Sequence, residues 1–162
     1  MRLELDELLC KKYPKMMVNR NKDMKETCMC WGFECGDGWF TLLDHLMGNI
    51  QNHIDWTNRN SEVVQQVTLD QVKEKFGTLR FYYTGGDDYI RGMVTMAESM
   101  SGVICEECGA QAKTNWPKTE NDVIGGWVRT ICEPCEEARE KAYALRMAEY
   151  NLSKPTVKVT DV

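Results

Sequence analysis

Cys105-Glu-Glu-Cys108-Gly109 is followed, 24 positions after Cys108, by Cys132-Glu-Pro-Cys135, and this pair of motifs restricts the fold more than any other feature. A CxxC turn aims two thiolates at one centre. Two such turns supply the four sulfurs of a tetrahedral metal site. Gly109 lets the backbone turn tightly after the second sulfur. The spacing points to one structural zinc per chain, held by Cys105, Cys108, Cys132 and Cys135 in a ribbon-like module over 101–136. Cysteine fills every coordination position, so no water is activated and the ion supports a fold. The competing readings are a redox pair and two buried thiol pairs. A redox CxxC stands alone on a thioredoxin-like βαβ pattern, which this chain lacks.

The remaining bulk properties narrow the class. The chain has 162 residues, 43% hydrophobic and 28% charged, enough apolar material for a core. Its formal net charge of −5 disfavours nucleic acid as a partner. The opening MRLELDELLCKKYP has neither the apolar stretch nor the small-residue cleavage site of a signal peptide. No run approaches the ~18 apolar residues of a membrane span. The expected setting is cytoplasmic, where eight cysteines are better explained by metal than by disulfides.

Periodicity places the elements. Leu5, Leu8 and Leu9 mark a short helix over 3–10, ended by Tyr13-Pro14. Trp39, Leu43, Leu46, Ile50 and Ile54 form one apolar stripe of a longer helix, with Asp37 as its expected N-cap and a polar connection over 55–61. Residues 68–76 read either as a helix, with Thr68 and Gln71 as a capping box, or as a strand. The alternation of Val72, Glu74 and Phe76 favours a hairpin through Phe76-Gly77-Thr78, with Glu74 opposite Arg80 and Val72 opposite Tyr82. Leu79 to Tyr83 is a strand in both readings. Asp87 or Asp88 caps a further helix carrying Ile90, Val94, Ala97 and Met100, and a last helix covers 136–150. The expected fold is α+β: a small antiparallel sheet packed with helices (1–100), the zinc-ribbon-like module (101–136), and a C-terminal helix and tail (137–162).

Two further constellations carry chemistry. Cys28, Cys30 and Cys35 crowd one short stretch, and with Cys10 or His45 they would make a second metal site. Their CxCxxxxC spacing is not a common zinc spacing, and buried thiols beneath Trp31, Phe33 and Trp39 are the preferred reading. A catalytic Cys35–His45 pair lacks a third partner. Lys73, Lys75 and Arg80 lie beside Phe81, Tyr82 and Tyr83, a mixture of cations and aromatic faces that suits a phosphate-bearing, nucleotide-like ligand. A solvated sheet face, with Glu74 neutralising Arg80, is the alternative. No phosphate loop, GxSxG, HExxH or deaminase signature is present.

Taken together, CWGFECGDGWF, QVKEKFGTLRFYYTGGDD, MAESMS and CEECG…GGW…CEPC resemble a family of small proteins encoded by tailed bacteriophages and prophages, over about Tyr13 to Cys135. The resemblance implies expression in the cytoplasm of an infected bacterium. Accessory phage proteins of this size inhibit host enzymes, act as decoys, or sequester nucleotide immune signals. The resulting expectation is a non-enzymatic, zinc-containing binding protein acting against host defence. Its ligand pocket would be walled by Trp31, Trp39, Tyr82 and Tyr83, with Lys73, Lys75 and Arg80 on the phosphates. The alternatives are a protein–protein inhibitor of a host enzyme and a nucleic-acid-binding ribbon.

Overall fold

Helix α1 (Leu3–Lys12) opens a computed structural model that describes residues 1–60, 63–115 and 127–153. The chain divides into two compact units, the first from Met1 to Cys132 and the second beginning at Glu133. The described residues form a mixed α+β fold with four helices, a three-stranded sheet and a two-stranded sheet. The C-terminal part of the sequence also brings four cysteines close together.

Strand β1 (Phe33–Glu34) runs parallel to β2 (Thr68–Lys75), which pairs antiparallel with β3 (Thr78–Thr84). The parallel β1 adds a strand that alternation could not disclose, because two residues show no period. The β2–β3 hairpin turns through two residues, Phe76 and Gly77, at φ of 54° and 76°. Positive φ at both central positions is the type I′ geometry that matches strand twist. The turn is therefore one residue tighter than the expected Phe76-Gly77-Thr78 loop. Glu74 faces Leu79, Lys73 faces Arg80 and Gln71 faces Tyr82. The expected pairs Glu74–Arg80 and Val72–Tyr82 do not form. An irregularity between Leu69 and Gln71 keeps both Leu69 and Val72 in the core, although their spacing would otherwise place them on opposite faces.

The inner face of this sheet packs against α2 (Phe40–Arg59) and α3 (Asp88–Ser101) through Leu69, Val72, Leu79 and Phe81. Leu43, Leu46, Ile50 and Ile54 form the buried stripe of α2. Each such burial stabilises by about 1.5–3 kcal/mol. The helix runs on to Arg59, replacing the expected polar connection. Its polar residues there face solvent, while Ile54 and Thr57 remain buried. Asp37 is not its N-cap. A single 3₁₀ turn over Asp37–Trp39 precedes the helix, and both Asp37 carboxylate oxygens bind Arg2. In α3 the cap is Asp87, whose Oδ1 accepts from Ile90 N at 2.9 Å.

Edge strand β3 is closed by side chains of α3. Ser101 Oγ accepts from Leu79 N at 2.8 Å and Glu98 Oε1 from Phe81 N at 2.9 Å. Backbone donors that would otherwise invite another strand are thereby satisfied. Strands β4 (Lys113–Asn115) and β5 (Arg129–Ile131) pair antiparallel. Residues 116–126 of the connection between them lie outside the described residues. In the second unit, α4 (Glu133–Ser153) begins early enough to include Cys135.

Candidate metal centre

The Cys105–Gly109 knuckle is held on a surface made by the tryptophan-rich segment near residue 35. Gly38 N donates to Glu106 O at 2.7 Å, and Gly36 N donates to the Glu106 carboxylate at 2.8 Å. Trp39, fully buried, donates its Nε1 hydrogen to Ile104 O at 2.9 Å. A Cβ at Gly36 would overlap the Glu106 backbone, and one at Gly38 would overlap Cys105 O and Gly109 N. Burial pushes the Glu106 carboxyl above its ordinary range, against the opposing pull of Gly36 N–H. Gly109 itself has a φ of 80°, the left-handed conformation expected of it.

The hairpin turn meets the same module from the other side. Gly77 O accepts from Thr130 Oγ1 at 2.5 Å, and Glu106 N donates to Thr130 O at 2.9 Å. Glu74 accepts from Gly77 N at 2.6 Å and from Trp127 Nε1 at 3.0 Å. The Glu74 carboxylate therefore secures the turn and Trp127.

On this base the sulfurs of Cys105, Cys108, Cys132 and Cys135 lie within 4.8 Å of one another. Cys108 Sγ and Cys132 Sγ are 3.6 Å apart. Metal–sulfur bonds of about 2.3 Å put tetrahedral sulfurs ~3.8 Å apart, so this donor set fits a metal ion. Cys105 is fully buried and Cys108 is exposed. Burial acts to raise the Cys105 thiol, but backbone N–H groups of Cys132, Cys108 and Glu107 outweigh it and bring it down to about 7. The arrangement eases formation of the thiolate that an ion requires. This is the only cluster of three or more metal-ligating side chains among the described residues. Cys10, Cys28, Cys30 and Cys35 do not form a second one there.

No protein-family model, curated protein or solved structure matches the chain.

The expected ligand wall does not assemble. Trp39 lies in the core, bonded to Ile104 O, and Tyr83 packs on the inner face beside Phe81, with ring centroids 5.9 Å apart. Trp31 is 61% exposed on the turn before β1. The sheet does bring Lys73, Lys75, Arg80 and Tyr82 to its outer face, at the register positions of Arg80, Thr78, Lys73 and Gln71. Arg80 Nη1 donates to Thr78 Oγ1 and Leu79 O, both at 2.7 Å. None of these three cations joins an ion pair among the described residues. Burial pushes the Cys35 thiol up to about 12, which is contrary to what a nucleophile needs.

Sequence reasoning missed a groove of about 850 Å³ between α2, α3 and the knuckle, lined in part by His45, Met93, Met96 and Met100. The signal was present as a second stripe on α3. Ile90, Val94 and Ala97 enter the core, while Met93, Met96 and Met100 recur at the same helical spacing one face over.

Proposed function

We propose that this chain is a non-enzymatic, zinc-stabilised binding protein, phage-encoded, that takes a phosphate-bearing, nucleotide-like ligand on the outer face of its sheet. The observation that carries this reading is the direct pairing of Lys73 with Arg80. Like charges opposite each other across a sheet are unfavourable; Glu74, the expected neutralising partner, is occupied at the turn, and Glu34, which neighbours Lys73 on β1, accepts from Gln71 Nε2 at 2.9 Å. A bound phosphate would relieve the repulsion, with Lys75 on the same face and the 45% exposed Tyr82 ring available to stack on a base.

Zinc is the metal that four cysteine sulfurs in tetrahedral spacing suit best. Cys105, Cys108, Cys132 and Cys135 would hold one ion per chain, and its contribution would be to fold stability. The phage resemblance would set it in a bacterial host cytoplasm, and by analogy with accessory phage proteins of this size its role would be to sequester a nucleotide immune signal.

The test is calorimetric titration of the purified protein with cyclic dinucleotides and mononucleotides, repeated with Lys73→Ala/Arg80→Ala. Saturable binding to the native protein that the double variant loses supports the reading. No heat and no thermal shift across the panel overturns it. Salt-dependent binding of single-stranded DNA or RNA instead would reassign the face to nucleic acid.

A further inference from the structure

The groove beside the cysteine knuckle is a second surface, independent of the basic sheet face. Its floor is two helical stripes: Leu42, Leu46 and Asn49 from α2, and Met93, Met96 and Met100 from α3. Each stripe covers a stretch of about 10 Å, two turns of helix. A trough flanked by two helical stripes is a shape into which a third helix packs. Met96 is 65% exposed and Met100 41%, so the trough presents flexible thioethers to solvent. Methionine stripes of this kind adapt to apolar helix faces.

The polar groups sit asymmetrically. Arg2 is engaged by Asp37 at the knuckle end. Glu107, also lining that end, has no ion-pair partner among the described residues. Cys108 lies beside it, and four thiolates around a divalent ion would add net negative charge there. The two helices themselves contribute no carboxylate to the lining, their polar members being Thr41, His45 and Asn49. A small-molecule site would instead gather several polar groups around one centre.

We infer that this groove receives the apolar face of an amphipathic helix presented by a partner protein, with a lysine or arginine of that helix against Glu107. The helix places apolar residues at i, i+3 or i+4, and i+7 in the trough. The cation sets its direction, because reversing the helix would carry the charge away from Glu107.

The test uses the full-length, metal-loaded protein and a displayed library of helical peptides of about 16 residues, varied at the apolar positions and in flanking charge. Counter-selection is against Met96→Glu, a change at an exposed position whose folding is checked by its melting curve. The expected result is enrichment of peptides with helical apolar spacing and a basic residue at one end. A synthetic peptide from that set should bind Met96→Glu about tenfold more weakly. Against Glu107→Lys it should lose to its own Lys→Glu version. Absence of enrichment over Met96→Glu overturns the inference, as does enrichment without helical spacing or charge preference. Concentration-dependent dimerisation that Met96→Glu abolishes would also overturn it, assigning the groove to a second copy of the chain.

Discussion

Gly38 lies directly against Cys105: its N–H binds the neighbouring Glu106 carbonyl, and a side chain at this position would overlap Cys105 O. The cysteine knuckle and the start of α2 are thus one packed assembly. Gly38→Ala should destabilise the first unit by about 1–3 kcal/mol and weaken metal retention, because backbone atoms must move apart. Gly92→Ala is the control. No atom lies within 4 Å of a Cβ there, and alanine in an exposed helix should stabilise by up to ~1 kcal/mol. Chemical denaturation of both variants measures the contrast.

Metal should be present at one ion per chain and should be required for full stability. Elemental analysis of the purified protein gives the count. Removal by a strong chelator should lower the melting temperature, and added zinc should restore it. Cys105→Ser should abolish the restoration, since it removes the buried sulfur on which three backbone N–H groups converge. Unchanged melting after demonstrated metal removal would count against a structural ion.

Stability should fall in alkali through Cys35. Its folded-state value is raised to about 12 from an ordinary 9.0 by burial. Below the ordinary value both states hold the proton and nothing is lost. Above it the unfolded chain ionises first, so the contribution declines by up to about 1.4 kcal/mol per pH unit until the folded value is reached. Denaturation at pH about 8 and about 10.5 should show a steeper loss for the native protein than for Cys35→Ala.

Asp6 and Arg20 form a largely buried pair at 2.9 Å, and Asp6 also accepts from Phe33 N at 3.0 Å. Asp6→Ala should cost about 3–5 kcal/mol by stranding the guanidinium and the amide. The double variant Asp6→Ala/Arg20→Met should recover part of that loss. A strictly additive cycle would show that the two residues act separately.

On the outer sheet face, Arg80→Glu should leave stability unchanged or raise it by about 0.2–1 kcal/mol, since it places opposite charges across the strands. The same change should abolish binding of a phosphate-bearing ligand. A large loss of stability instead would mean that the hydrogen bonds of Arg80 to Thr78 and Leu79 hold the strand end.

Much of this molecule was legible in advance because local rules decided it. The spacing of Cys105, Cys108, Cys132 and Cys135 needs only two tight turns brought together to gather four sulfurs around one point. The α2 stripe follows from helical period, and the Asp87 cap from the chemistry of a short acceptor before a helix. The hairpin was visible in alternation, but its register was not. Phe76, a bulky residue at positive φ, gives no local warning that it will enter a type I′ turn.

What remained depended on partners distant in sequence. The glycines of CGDGW look like turn residues, and only the approach of Glu106 and Cys105 explains their lack of side chains. Trp39 looked like a ligand wall, because a sequence cannot say which neighbour will accept an indole N–H. Glu74 looked like the counter-ion of Arg80 until a one-residue change of register gave that place to Lys73. Composition and period determine which faces are apolar and which sulfurs can meet. Tertiary packing decides which groups lose water and which charges stay unpaired, because burial and distance belong to the assembled chain.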